Sequence, residues 1–231
     1  MLFISPPFGN YFKTSGVKRI KGTYTIEKRS GLLSQIVKTL RYSVENGGWT
    51  NAIGLRNPGI ATGVRRYNHE TDILSIAVRT SDDVAKFLKV IPENANIELN
   101  ISCPNIQTAT EDIQYDKFLN SGRKWCIVKV SPLTNPEDLD KLYKMGFRQF
   151  HCCNTLPSKE GGLSGPSLVP YVTKLIKQIK TYPDAVIIAG GGIQNFSNLK
   201  EYKALGADHF SISTIFFHPI KVFRFYIEYK E

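Results

Sequence analysis

A single parallel β/α barrel is the fold that this sequence predicts, and three observations carry the prediction. The chain has 231 residues with 42% hydrophobic content, enough for one large core and close to the size of one barrel domain. From residue 72 onward, short apolar runs alternate with amphipathic segments, the pattern of parallel strands joined by helical crossovers. Finally, the stretch Glu98-Leu99-Asn100-Ile101-Ser102-Cys103-Pro104-Asn105 is an apolar strand that runs into a cysteine. Pro104 lacks an N–H and cannot extend a strand, so Cys103 falls where strand becomes loop, the edge on which barrels carry their chemistry.

Taken in order, residues 72–78 form a strand and 81–89 a helix, with Ser81 as its cap and Asp82 and Asp83 in its first turn. Residues 97–102 are the next strand, followed by a short helical patch at 115–119. A strand at 125–130 precedes a helix that Asn135 caps, Pro136 opens and Gly146 closes after Met145. Strands at 149–153, 185–189 and 209–213 follow, with helices at 170–180, 197–205 (closed by Gly206) and 219–229. No repeat or composition shift divides the chain, so residues 1–231 read as one domain.

The first 70 residues break this rhythm. Residues 11–15 and 23–27 read as strands, yet too few residues separate them for a helical crossover, which needs about a dozen. The barrel is therefore expected to be irregular or incomplete on its N-terminal side. Residues 40–44 and 49–53 read as a hairpin that turns at Asn46-Gly47. Met1-Leu2-Phe3-Ile4 is stopped by Ser5-Pro6-Pro7, too short for a signal peptide, and no run approaches a membrane span.

Thirty Lys+Arg against 20 Asp+Glu give a formal charge of +10, which favours anionic partners without naming one. The basic residues are dispersed, as in Lys18-Arg19, Arg65-Arg66 and Arg123-Lys124, and form no nucleic-acid module. The four cysteines are Cys103, Cys126, Cys152 and Cys153. None has the spacing of a metal knuckle, so no metal site is expected and the pattern is that of a reduced, cytoplasmic protein.

A thiol at position 103 serves as base or nucleophile once its thiolate is stabilised, and Asn100 and Asn105 offer neutral groups to orient a planar polar substrate. The competing reading makes Cys103 a small buried apolar residue. Gly161-Gly162-Leu163-Ser164-Gly165 and Gly190-Gly191-Gly192 follow successive strands, and Ser213-Thr214 ends the last one. Such turns bring backbone N–H groups close to a phosphate, although glycines also serve ordinary tight turns. Lys129 lies in the apolar run Ile127-Val128-Lys129-Val130, where an ammonium needs a partner. Either Glu98 on the neighbouring strand supplies it, or the lysine faces the barrel mouth and stabilises negative charge on a bound cofactor. Asn154-Thr155 ends the next strand on the same face.

These residues in this order resemble dihydroorotate dehydrogenase, an FMN-dependent TIM-type barrel enzyme of pyrimidine synthesis, in its soluble branch with a cysteine base. The resemblance implies that Cys103 takes the substrate's C5 proton and that Lys129 contacts the flavin. It also implies that Asn100, Asn105, Asn154 and Thr155 bind the pyrimidine together with Asn51, Ile53, Gly54 and Leu55. Ser15, Gly16, Asn100, Lys129, Ser164, Gly165, Gly191, Gly192, Ser213 and Thr214 would hold FMN. Residues 1–231 would then be one FMN-binding domain acting on a small anionic pyrimidine, with a homodimer left open and neither membrane nor nucleic acid involved.

Two departures from the family stand out. Only seven residues lie between Val17 and Thr25 where the family has a helix and much of a strand, which reads as a deletion in the first β/α unit. Aligned on Glu27-Lys28-Arg29, the family's substrate- and flavin-contacting lysine falls on Gly22, with Lys21 on the opposite strand face. The segment after Cys103 is also short. The alternatives are a related flavin reductase of uracil rings, similar to tRNA dihydrouridine synthase, and a non-catalytic flavin-binding remnant.

Overall fold

The computed structural model describes residues 1–101 and 113–230. Twelve strands appear among them: β1 (Leu2–Ile4), β2 (Val17–Tyr24), β3 (Arg41–Ser43), β4 (Gly48–Asn51), β5 (Asp72–Ile76), β6 (Ile97–Asn100), β7 (Cys126–Val130), β8 (Gln149–Cys152), β9 (Leu156–Ser158), β10 (Gly161–Ser164), β11 (Val186–Gly190) and β12 (His209–Ile212). The helices are α1 (Leu32–Thr39), α2 (Ile60–Arg65), α3 (Ser81–Val90), α4 (Pro136–Lys144), α5 (Val169–Ile179), α6 (Phe196–Leu205) and α7 (Pro219–Lys230).

Eight strands close a parallel barrel in the order β1-β12-β11-β8-β7-β6-β5-β2. The expected incompleteness is thereby corrected. Leu2–Ile4, set aside as a stopped leader, is the strand that pairs with both β12 and β2 and completes the ring. The irregularity is present: residues 5–16, between β1 and β2, hold one 3-10 turn (Phe8–Asn10) and no α-helix. The short connection thus precedes Val17, and Val17–Tyr24 is continuous strand where the sequence suggested two strands and a gap.

Strand alternation divides the core in two. Phe3, Ile20, Ile73, Trp125, Ile127 and Ile188 form a separate buried cluster that plugs the barrel interior. Alternate strand residues such as Leu74, Leu99, Val128 and Phe150 instead join Phe87, Leu139 and Leu175 of the surrounding helices. Local chemistry sets the helix ends. Asn135 accepts from the Asp138 N–H at 2.7 Å, and Gly146 turns the chain away with φ +106°. The cap of α3 is Thr80 rather than Ser81, its hydroxyl accepting from Asp83 N at 3.2 Å.

Over the barrel mouth lies a second sheet, antiparallel, ordered β3-β4-β10-β9. The predicted 40–53 hairpin is its first half. Its second half corrects the reading of residues 161–164 as a plain glycine loop, since β10 pairs with both β4 and β9.

Candidate active site

Along the barrel's inner face, the apolar plug gives way to polar residues, or to bare glycine backbone, two positions further on. Ile73 is followed by Ser75, Ile127 by Lys129 and Ile188 by Gly190, with Glu98 and His151 on the strands between. Above this layer opens a cavity of about 440 Å³, lined by residues at the C-terminal ends of the strands and by the overlying sheet.

The polar layer is one connected chain of hydrogen bonds. His151 Nδ1 lies 2.6 Å from Glu98 Oε2, and Ser75 Oγ donates to Glu98 Oε1 at 2.8 Å. A carboxylate only accepts, so the imidazole proton sits on Nδ1. With the Ser75 proton committed, the Thr23 hydroxyl donates to Ser75 at 3.0 Å, and Asn100 Nδ2 donates to Thr23 Oγ1 at 3.0 Å. Asn154 Nδ2 donates to Asn100 Oδ1 at 2.9 Å, and Thr155 N–H donates to Asn154 Oδ1 at 2.9 Å. Every donor in the chain points toward Glu98, which therefore sets which way the two asparagine amides face.

Glu98 is wholly buried. Burial alone would raise its pKa, but Lys129, His151 and the bonds from His151 and Ser75 outweigh it and hold the carboxyl below its ordinary value. Burial pulls the imidazole of His151 below its usual range despite Glu98, so it is neutral at pH 7. The same burial pushes the Cys153 thiol up to about 12. Glu98 is thus bonded to Ser75 and His151 and coupled electrostatically to Lys129, which is itself 9% exposed and lines the cavity.

Of the residues that the sequence singled out, Asn51, Ile53, Gly54, Leu55, Asn100, Lys129, Asn154, Thr155, Ser164, Gly165, Gly191, Gly192, Ser213 and Thr214 all line this cavity. Ser15 and Gly16 do not. They are exposed and lead into β2, at the opposite end of that strand from Gly22 and Thr23, which do line it. Ser5, Pro6 and Pro7, at the end of β1, line it instead. Cys103 and Asn105, with the shortened segment after them, lie outside the described residues.

Lys21 points away from the cavity, as its register requires: Nζ donates to Arg66 O at 2.8 Å and to the buried Asp72 at 3.2 Å. Gly22, facing in, has φ +123°, and a Cβ there would lie 2.5 Å from Ser75 O. No lysine fits at position 22 in this backbone. The cavity also contains residues that sequence reasoning missed, among them Phe8, Arg56, His151 and Phe217. The strand-then-proline pattern that marked Asn100 to Pro104 is repeated in Ile4-Ser5-Pro6 and was a usable signal for the β1 end.

The donor set suits a phosphorylated planar cofactor. Gly191 and Gly192 present bare backbone to the cavity, and a side chain at Gly192 (φ +78°) would meet Val169 at 2.5 Å. The Ser164 and Ser213 hydroxyls donate to the Trp49 and Pro6 carbonyls at 3.1 and 3.0 Å, so they brace the cradle. Among the described residues, no group of three His, Cys, Asp or Glu side chains could hold a metal ion, and no helix is long and apolar enough to cross a membrane.

Comparison with known proteins agrees with this architecture. No family model matches the chain. The dihydroorotate dehydrogenase B (NAD(+)) catalytic subunit of Malacoplasma penetrans is 30% identical, over 76% of this chain and 69% of that protein. The chain belongs to the dihydroorotate dehydrogenase family. The corresponding subunit of Brachyspira hyodysenteriae is 29% identical and extends the match to 92% of this chain and 80% of its own length. In fold, ligand-free dihydroorotate dehydrogenase from Eimeria tenella superposes with a TM-score of 0.74 at 19% identity, covering 98% of this chain and 82% of that one.

Proposed function

We propose that this chain oxidises dihydroorotate to orotate, with FMN held in the barrel-mouth cavity and Cys103 as the base. One observation carries the reading: the buried Lys129, the oriented amides of Asn100 and Asn154 and the bare backbone of Gly191 and Gly192 meet in a single cavity at the strand ends. FMN, when bound, supplies the acceptor for two electrons. The chain's own residues do the rest. Lys129 places an ammonium where negative charge develops, and the glycine turns offer N–H groups to the phosphate. Asn100 and Asn154, locked through Thr23 and Ser75 to Glu98, present a set pattern of donors and acceptors to a pyrimidine ring.

The described lining includes Arg56, Lys129 and His151 and neither Asp nor Glu, which favours an anionic substrate. Cys103 receives its role from the resemblance of its segment: a thiolate there removes the proton while the hydride leaves the neighbouring carbon. The proposal includes a cytoplasmic protein whose residues 1–231 form one flavin-binding domain.

The test begins with reconstitution in excess FMN and gel filtration. Retained flavin absorbance that bleaches anaerobically with dihydroorotate is the expected result. Absence of retained flavin overturns the proposal, and retained flavin that dihydroorotate leaves oxidised removes the substrate assignment. Cys103→Ser should keep its flavin but turn over slowly at neutral pH, with a rate that rises as pH increases.

A further inference from the structure

Two buried titratable side chains in the described cavity lining, His151 and Cys153, have no task in the proposed chemistry, and burial holds the Cys153 thiol up at about 12, which leaves His151. It is 1% exposed and lines the cavity, with Nδ1 tied to Glu98 at 2.6 Å. Its other nitrogen, Nε2, has no hydrogen-bond partner among the described residues. The fold makes room for this ring. A Cβ at Gly190 would lie 2.5 Å from Nε2 and 3.1 Å from Cδ2, so β11 carries no side chain where the imidazole sits. Such an arrangement is more than packing, because a merely buried aromatic ring needs neither a carboxylate nor a clear nitrogen.

We propose that His151, held by Glu98, takes up a proton when negative charge accumulates in the cavity above it, and so couples proton uptake to two-electron reduction of the bound cofactor. The inference rests on the proposed flavin reading and deepens it. In the resting site the charged groups acting on His151 are Glu98 from β6 and Lys129 from β7, while Cys153, which follows its own strand, lines the same cavity. Gly190 of β11 and Ser211 of β12 contribute no charge. Burial and Lys129 keep the ring neutral, while Glu98 favours the imidazolium. Protonation turns the Glu98–His151 contact into an ion pair of zero net charge, and the positive charge so added to the layer is balanced by the anion above it. A nearby anion tips this balance toward protonation.

Dihydroorotate loses a hydride and a proton; the hydride's two electrons and its proton go to the flavin, leaving one negative charge on it, and the second substrate proton goes to the base. The proton on His151 comes from solvent and returns there when the electrons leave.

The test counts protons. FMN-loaded protein is reduced anaerobically with dithionite at pH 7.5 in weak buffer with a pH indicator, with correction for the protons that dithionite itself releases. The flavin absorbance reports whether its own N1 stays unprotonated. Wild type is expected to take up two protons per electron pair with N1 unprotonated. His151→Gln, which keeps a donor for Glu98 but cannot titrate, and His151→Phe should each take up one. In both variants the slope of the midpoint potential against pH should fall by half. Equal proton counts in wild type and flavin-loaded variants overturn the proposal and leave the flavin reading standing. Should neither variant fold, wild type taking up only one proton overturns it alone. Failure of wild type to retain flavin removes the underlying reading, and this inference falls with it.

Discussion

Replacing Lys21 and its partner Asp72 separately tests whether Lys21 belongs to the wall or to the site. Asp72 is wholly buried, and five donors converge on it: Arg19 Nε and Nη2 at 2.9 and 2.5 Å, Lys21 Nζ at 3.2 Å, Asn68 N–H at 3.1 Å and Thr71 Oγ1 at 2.9 Å. Asp72→Asn leaves two largely buried cations without a counter-charge, since the side chains of Arg19 and Lys21 are 14% and 9% exposed. The cost is about 3–5 kcal/mol. Lys21→Met keeps the apolar stem and leaves Asp72 bonded to Arg19 and two neutral donors, so its cost is about 1–2 kcal/mol.

Against a total stability of about 5–15 kcal/mol, the first change is large and the second modest. Equilibrium unfolding in urea, followed by Trp49 and Trp125 fluorescence, should show the Asp72→Asn midpoint falling by at least about 1 M. Flavin and orotate affinities of Lys21→Met should match wild type. A tenfold loss of orotate affinity in Lys21→Met, with an unchanged unfolding midpoint, would refute the assignment of Lys21 to the wall. Equal destabilisation by the two changes would refute the asymmetry.

Three further outcomes follow from the same geometry. His151 binds its proton less readily in the fold than in the unfolded chain, so the unfolded state is favoured as pH drops below about 6.5. Stability should therefore fall toward acid by up to about 1.4 kcal/mol per pH unit from this group; His151→Gln should flatten the melting temperature between pH 7 and 5.5, and an unchanged slope would remove His151 as its source. Burial raises the thiols of Cys126 and Cys153 to about 12 and that of Cys152 well above its ordinary value, so all three should resist iodoacetamide at pH 7.5 until the protein unfolds. Peptide mapping that finds any of them alkylated in the native protein contradicts this. Arg56→Gln should raise KM for dihydroorotate about 10- to 100-fold, as expected for a lost charge-assisted hydrogen bond, with kcat within about threefold; an unchanged KM would remove Arg56 from substrate recognition.

From residue 72 onward the fold was legible because each apolar run and each cap acts locally. Asn135 and Gly146 bound α4 through contacts within a few residues, and the Asn46-Gly47 turn sets its own hairpin. Residues 1–70 were harder because their structure depends on distant partners. Leu2–Ile4 is too short to announce itself and is a strand only because β12 and β2 flank it. The Gly161–Ser164 segment reads as a loop until β4 pairs with it.

The candidate site divides along the same line. Lys129 and the glycines stood out because charge in an apolar run, or glycine after one, is conspicuous. His151 did not, since a histidine between Phe150 and Cys152 carries no local signal and its partner, Glu98, is 53 residues away. Ser15 and Gly16 were misplaced because matching short motifs does not reveal which end of a strand they occupy.

The sheet over the barrel mouth has a consequence for the order in which the cavity is built. Its two halves are stitched across long spans: Asn51 donates to Gly162 O, Ser164 to Trp49 O and Ser167 to Asn46 O, pairs separated by 111 to 121 residues. Contacts this distant in sequence close late, after β5 to β8 have been laid down between them. The roof is then a separate sheet above the barrel, and Leu163 alone among its strand residues joins the buried hydrophobic set. Its amides should exchange with deuterium through openings that leave the barrel intact, and such openings give a ligand its way in without unfolding the wall that holds it.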